Sequence, residues 1–412
     1  MNFDIAKHTI FLTLHGSHAY GMSNENSDVD VKGIAISPKE YYTGFINKFN
    51  QFEGVFPKDY IINGKTYVEI LEELVDRKIP EDEKIDSVIF DIKKFFYLAS
   101  NCNPNIIEIL FTDEKHHILK TKLGQKLLDN RELFLSQKAK FTFSGFAFSQ
   151  LKRIKSHRAW LLHPIEIKPK RSDYGLPEHG LIPGDQRRAA EALIRRKIES
   201  WLYIPDELPK DVLSSVRENT INSMLDMWEG LIGDCYIKKE DEGKTLFEPL
   251  QPPLNDLGDF DTEKLEHPAS ISLGFDSNFI QALDMERRYK GALRNYNQYQ
   301  EWKKNRNPKR AELEAKYSFD CKHASHLARL LRMCNEIITL GEVNVCRSDA
   351  DELLAIRNGA WTYDYLINWA EEKQKELDEF YESNKSPLPK SPNINKIDEL
   401  CQEIVEESLK GE

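Results

Sequence analysis

Near the start of the chain a glycine-serine pair and a pair of carboxylates stand at a spacing that could do phosphate chemistry. Leu14-His15-Gly16-Ser17-His18-Ala19-Tyr20-Gly21 is followed by Ser27-Asp28-Val29-Asp30. Gly16 lets the backbone after a strand approach a bulky polyanion, and Ser17 offers a hydroxyl and an N–H to a phosphate oxygen. Asp28 and Asp30, two apart on a strand, project their carboxylates from one face while Val29 and Val31 point into the core. Two such hard oxygen ligands suit Mg²⁺ or Mn²⁺: one ion could hold a triphosphate, and a second could lower the pKa of an attacking hydroxyl for in-line displacement. Asp-x-Asp alone is commonly a pair of solvated loop acids, and Gly-Ser alone is a turn. The combination behind an apolar strand is far more specific.

Further polar groups fall on helical stripes. Gln150, Arg153 and His157 share one face, and Lys322, His326 and Arg329 share the face of a second helix. Both stripes are cationic, as a triphosphate or an RNA backbone would require of its binding groups. For His157, His323 and His326 a packed helical histidine is the simpler reading, and a His323/His326 metal pair has only Asp320 as a nearby acid. From Arg287 to Arg332 there are 13 Lys and Arg against 4 Asp and Glu, whereas Asp349 to Glu412 holds 7 against 16. These segments are expected either to pack together or to leave a basic groove lined by Tyr289, Tyr296, Tyr299 and Trp302.

The elements that must position these groups are α+β in character. Thr9 to Leu14 reads as a strand, the Gly-rich turn follows, and Asp28 to Ile36 reads as another strand. Asn63-Gly64, between Tyr60-Ile61-Ile62 and Lys65-Thr66-Tyr67-Val68, predicts a tight hairpin. Ser87 to Phe90 reads as a strand, and Asp91 can cap the helix that follows. Asn103-Pro104-Asn105 starts a helix in the same manner. Periodicity predicts helices near 138–163, 185–203, 208–233, 275–305, 308–340 and 349–382. The Pro-rich stretch around Pro249 to Pro253 suits a surface connection. The expected organisation is a mixed-sheet domain over 1–133, a mainly α-helical region over 134–382 that binds nucleotide or acceptor, and a linker with a short terminal helix over 383–412.

The chain has 412 residues, too many for one ordinary core, with 40% hydrophobic residues and a net charge of −11. That charge argues against a surface coated uniformly for nucleic acid. No apolar run reaches the ~18 residues a membrane helix needs, and no signal-peptide pattern stands at Met1 to Ile10. Six cysteines without a C-x-x-C pair signal neither a disulfide framework nor a zinc site, which fits the cytoplasm.

The Gly16-Ser17 and Asp28-x-Asp30 pattern resembles the DNA-polymerase-beta-like nucleotidyltransferase superfamily. More closely, the chain is similar to the RNA-repair-pathway polymerase-beta-like subfamily. Lys94-Phe95, Asn103 to Leu110, Gly145-Phe146-Ala147, Gln150 to Arg153, Trp302, Arg306-Asn307-Pro308, Lys322 to Leu330 and Ile356-Arg357-x-Gly359 carry that closer likeness, over roughly residues 10–370. Ser318-Phe319-Asp320 departs from an expected Gly-Tyr-Asp. The resemblance implies a third metal-binding carboxylate on a later strand of the same sheet, for which Asp86 is favoured over Asp91. It also implies a Mg²⁺-dependent enzyme moving a nucleoside monophosphate from an NTP to a hydroxyl, with Asp28, Asp30 and Asp86 catalytic. Gly16, Ser17, Gln150, Arg153, His157, Lys322, His326 and Arg329 are the expected nucleotide-binding residues. RNA is the expected acceptor; a protein hydroxyl, or binding without turnover, are the alternatives.

Overall fold

The computed structural model describes residues 3–25, 27–202, 240–241, 244–245, 262–306 and 308–411. The expected helix at 208–233 and the stretch from Pro249 to Pro253 lie outside them. One compact unit combines Met1–Pro164 with Arg306–Glu412, and a second comprises Ile165–Asn305. This division differs from 1–133, 134–382 and 383–412, because the Lys138–Leu162 helix packs along the Cys321–Leu340 helix and draws the C-terminal helices onto the sheet.

The sheet of the first unit has the order β3-β6-β2-β1-β7, built from β1 (Thr9–His15), β2 (Asp30–Ala35), β3 (Gln51–Gly54), β6 (Asp86–Asp91) and β7 (His117–Lys120). It is mixed: β1 runs antiparallel to β2 and β7, β3 antiparallel to β6, and β2 parallel to β6. Both faces are covered, so β1 is buried along its whole length. Phe11 and Ile34 face one core with Phe95, Ile107, Leu327 and Leu331, whereas Leu12, Leu14, Val31 and Ile89 face another with Phe56, Tyr67 and Leu71. Side-chain alternation along each strand divides the two cores.

The short hairpin of β4 (Ile61–Ile62) and β5 (Lys65–Thr66) turns at Asn63 and Gly64, both with positive φ (52° and 83°). Tyr67 and Val68, read from sequence as strand, instead open the helix Tyr67–Val75. Thr66 caps it in a reciprocal capping box with Glu69, which overrides their β propensity. Two other helical readings divide. The 308–340 stretch is two helices, Pro308–Tyr317 and Cys321–Leu340, broken where Ser318 takes φ 64° and Asp320 caps the second. The 349–382 stretch is Ala350–Arg357 and Tyr363–Glu382, parted at Gly359 with φ 92°, where a Cβ would enter the Tyr317 ring. The terminal helix, Ile394–Lys410, is longer than expected.

In the second unit, helices Gly184–Leu202, Thr262–Ser272 and Ser277–Asn305 pack Ile194, Ile198, Leu265 and Leu283 together. Glu286, 2% exposed, receives both Arg171 and the Leu181 N–H, and Arg171 also lies over Tyr289. Tyr299 is buried beside Trp302, its hydroxyl 3.1 Å from Glu166. Thus three of the four aromatics expected along a basic groove, Tyr289, Tyr299 and Trp302, are engaged in local packing. Of the oppositely charged segments, Arg332 joins the two through ion pairs to Asp349 (2.6 Å) and Glu352 (2.7 Å). The five described cysteines are unpaired thiols. No helix among the described residues is long and apolar enough to cross a membrane.

Candidate active site

The site forms where β1 ends and β2 and β6 begin. Antiparallel pairing sets His15 opposite Asp30, and parallel pairing sets Asp30 opposite Asp86. Adjacent strands lie about 4.8 Å apart. Three chain segments distant in sequence therefore meet at one sheet end. Asp28 stands in the extended residues just before β2, exposed, while Val29 and Val31 on the opposite side are each 1% exposed.

Gly16, at φ 64°, turns the chain out of β1 into the helical turn Gly16–Ala19, which the Tyr20 N–H closes on the Gly16 carbonyl. A Cβ at Gly16 would run into Asp30 Oδ2. The glycine thus permits both the left-handed turn and the close approach of the carboxylate. In Gly16→Ala, either Asp30 moves aside or the turn opens. Strain of about 1–2 kcal/mol is expected in chemical denaturation, along with weakened divalent-cation binding by calorimetry.

Burial raises the Asp30 carboxyl above its usual range; Lys32 and Lys322 oppose the shift, and Asp28 and Asp86 reinforce it. Asp86 is exposed, with Lys84 Nζ 3.1 Å away. Asp91 lies at the other end of β6, five residues and about 16 Å along the strand from Asp86. There it accepts from the Lys93 and Lys94 N–H groups as the cap of Ile92–Ser100 and contacts Tyr42 and Ser37. Capping therefore occupies Asp91, and Asp86 stands beside the Asp28 and Asp30 pair.

Beneath the Gly-Ser turn lies a buried ionic network that the sequence reading did not assemble. Glu108, on the Pro104–Leu110 helix, is 0% exposed; it accepts from Tyr20 Oη at 2.6 Å and from Arg329 Nη1, with His15 Nε2 3.4 Å away. The Arg329 guanidinium lies 3.8 Å from the Tyr20 ring centre. Burial works to raise the Glu108 carboxyl, but Arg329 and His15 outweigh it and hold the carboxyl well below its ordinary range. Burial, then Lys32, pulls His15 down to about 4, so its imidazole is neutral at pH 7. Lys32 lies within the electrostatic field of both Asp30 and Glu108, and burial lowers its ammonium. A lone acid inside Ile106-Ile107-Glu108-Ile109-Leu110 was the available signal, since a charge on an apolar helix implies a buried partner.

The two cationic stripes separate. Lys322 carries its charge to Asp30. Arg329, expected to bind nucleotide, is corrected: at 3% exposure its guanidinium is committed to Glu108 and Tyr20 and lies in the core. His326 sits close to Arg329, and burial with that neighbouring cation pulls it down to about 3. On the Lys138–Leu162 helix, Arg153 is exposed and Gln150 half-buried, while His157 turns toward Asp320 and His323. Burial, followed by His323, lowers His157 to about 4. Gly16 and Ser17 are half-buried at the head of the site.

No curated protein matches the chain, and no solved structure does. A mixed sheet followed by a mostly helical C-terminal region is consistent with a polymerase-beta-like fold. Residues 4–161, which carry the glycine-serine turn, Asp28, Asp30, Asp86 and Glu108, match the model of the RNA repair pathway DNA polymerase beta family.

Proposed function

We propose that the protein transfers a nucleoside monophosphate from an NTP to a hydroxyl of RNA, with a divalent cation, Mg²⁺ or Mn²⁺, at Asp28, Asp30 and Asp86. The observation that carries this reading is the register that sets Asp86 beside Asp30, with Gly16 against the Asp30 carboxylate. The donor set fits such an ion: it is all oxygen, and the like charges of Asp28 and Asp86 add to the upward shift of Asp30. When bound, the cation neutralises the triphosphate and acidifies the acceptor hydroxyl. Gly16 lets the turn pass close over the Asp30 carboxylate, Ser17 supplies hydrogen bonds to the phosphate oxygens, and Lys322, whose charge reaches Asp30, balances the phosphate charge. The acceptor oxygen bonds to the α-phosphorus as the α–β bridge breaks, pyrophosphate leaves, and the hydroxyl proton passes to solvent.

The family description supports RNA as the acceptor, and the exposed Lys152, Arg153 and Lys155 on one helix provide cations for its backbone. The test is incubation with each α-labelled NTP, Mg²⁺ and RNA, with location of the label. Label on RNA with stoichiometric pyrophosphate is expected. Lys322→Ala should raise the KM for NTP about tenfold with a smaller change in kcat. NTP binding without pyrophosphate release under both Mg²⁺ and Mn²⁺ would leave a binding protein and sink the reading.

A further inference from the structure

Apart from the three carboxylates, a second group of metal-type donors joins the Lys138–Leu162 helix to the first turn of the Cys321–Leu340 helix. His323 Nδ1 lies 2.6 Å from Asp320 Oδ2, and His157 Nδ1, on the neighbouring helix, lies 4.0 Å from the same oxygen. One ligand atom from each of the three falls within 4.8 Å of the other two. The two imidazoles stand edge to face, 5.8 Å between ring centres.

Two of the donors are also held by contacts of their own helices. Asp320 uses Oδ1 to accept the His323 backbone N–H at 3.0 Å as the helix cap, while His323 Nδ1 is hydrogen-bonded to Oδ2. Trp160 stacks on the His157 ring at 5.4 Å with the planes 27° apart. The Asp320 side chain is buried, whereas both histidine side chains retain 17% exposure, enough to admit an ion from solvent.

Two imidazole nitrogens with one carboxylate oxygen form a donor set for Zn²⁺ and similar ions, unlike the all-oxygen set at Asp28, Asp30 and Asp86. A tetrahedral site with bonds of about 2.0–2.1 Å spaces its ligand atoms about 3.3 Å apart. That spacing lies between the two nitrogen–oxygen distances seen here, so small side-chain rotations would bring all three donors onto one ion. We propose that His157, Asp320 and His323 bind a divalent transition-metal ion of the zinc class, with the fourth position open to water. The ion would tie the two longest-packed helices of the unit together one residue from Lys322, and so fix where that cation faces Asp30.

The experiment uses the full chain and a background in which Asp28→Asn and Asp30→Asn remove the competing carboxylates. Titration with Co²⁺, followed by its visible absorption and by displacement with Zn²⁺, is expected to saturate at one equivalent in that background. Zn²⁺ should also raise the melting temperature by about 4 °C or more. His157→Gln and His323→Gln are each expected to weaken Co²⁺ binding roughly 100-fold. Asp320→Asn keeps a good helix cap, so it serves as the folded control for the histidine variants, and should weaken binding at least tenfold. Absence of saturable Co²⁺ and Zn²⁺ binding in the background protein, or unchanged binding in folded Asp320→Asn and histidine variants, would overturn the proposal. Either result is independent of whether the carboxylate site transfers nucleotides.

Discussion

On the proposed mechanism, replacing Asp30 by Asn should lower single-turnover nucleotidyl transfer by roughly a thousandfold or more, because removing the proposed metal ligand sacrifices several kcal/mol of transition-state stabilisation. Asp30 is the carboxylate with most to lose: it is partly buried, touches the space above Gly16, and pairs in register with Asp86. The same substitution should raise the melting temperature of the metal-free protein. Burial raises the folded-state pKa of Asp30 above its unfolded value, so the folded protein binds more protons than the unfolded chain over that interval. Without a cation, the ionised carboxylate therefore disfavours folding, and stability increases as pH falls through the folded pKa toward the unfolded one. Asparagine removes the charge and with it that pH dependence. Thermal denaturation in chelator and in Mg²⁺, across pH 4 to 8, reads both effects. Full activity in Asp30→Asn, or a metal-free variant that melts lower than the parent with an unchanged pH profile, would contradict this account of the site.

Arg329→Met should cost about 3–5 kcal/mol of stability at neutral pH, since it leaves Glu108 charged, buried and without its principal partner. In the parent, the depressed Glu108 pKa contributes stability that is complete above the unfolded-state value and is lost only as pH falls through the folded one. In the variant the sign reverses: burial raises the Glu108 pKa, and acidification should recover stability by protonating it. Combining Arg329→Met with Glu108→Gln should restore much of the loss at pH 7, although Tyr20 and His15 still need a polar neighbour. Urea denaturation of the parent, both single variants and the double variant closes this cycle. An Arg329→Met protein as stable as the parent, but with weaker RNA binding, would return Arg329 to the role its helix stripe suggested.

The parts of the site legible in the sequence are those governed by local geometry. Gly16-Ser17 after an apolar strand, and Asp28 and Asp30 alternating with the buried Val29 and Val31, need only the two-residue period of a strand. Asp86 required a parallel register that no local pattern encodes, and the resemblance to a family with three carboxylates suggested it. Glu108 and Arg329 meet across 221 residues of chain, so Arg329 was readable only as one member of a cationic stripe. His157 likewise left its stripe for Asp320 and His323 because a helix face in sequence does not say which neighbour it will meet. The helical stretches 308–340 and 349–382 ran together for a different reason: a break of a few residues at Ser318 or Gly359 barely disturbs a 3.6-residue period. At Tyr67, the hairpin signal was correct but ended two residues earlier than expected, where the capping box took over.

The two-part build of the first unit has a consequence for the order in which the chain can fold. Phe143, Ala147, Leu151 and Ile154 share a core with Leu327, Leu331 and Ile338, yet the ribosome makes the second set long after the first. About 160 residues separate the two helices, and at about 5–20 residues per second their synthesis takes on the order of 10–30 s. Through that interval the growing chain carries a finished sheet whose helical partner presents an uncovered apolar stripe, the kind of surface that chaperones bind and aggregation exploits. Closing so long an intervening segment costs only logarithmically more than closing a short one. The burden of the insertion therefore falls on the time spent incomplete, with little effect on the stability finally reached.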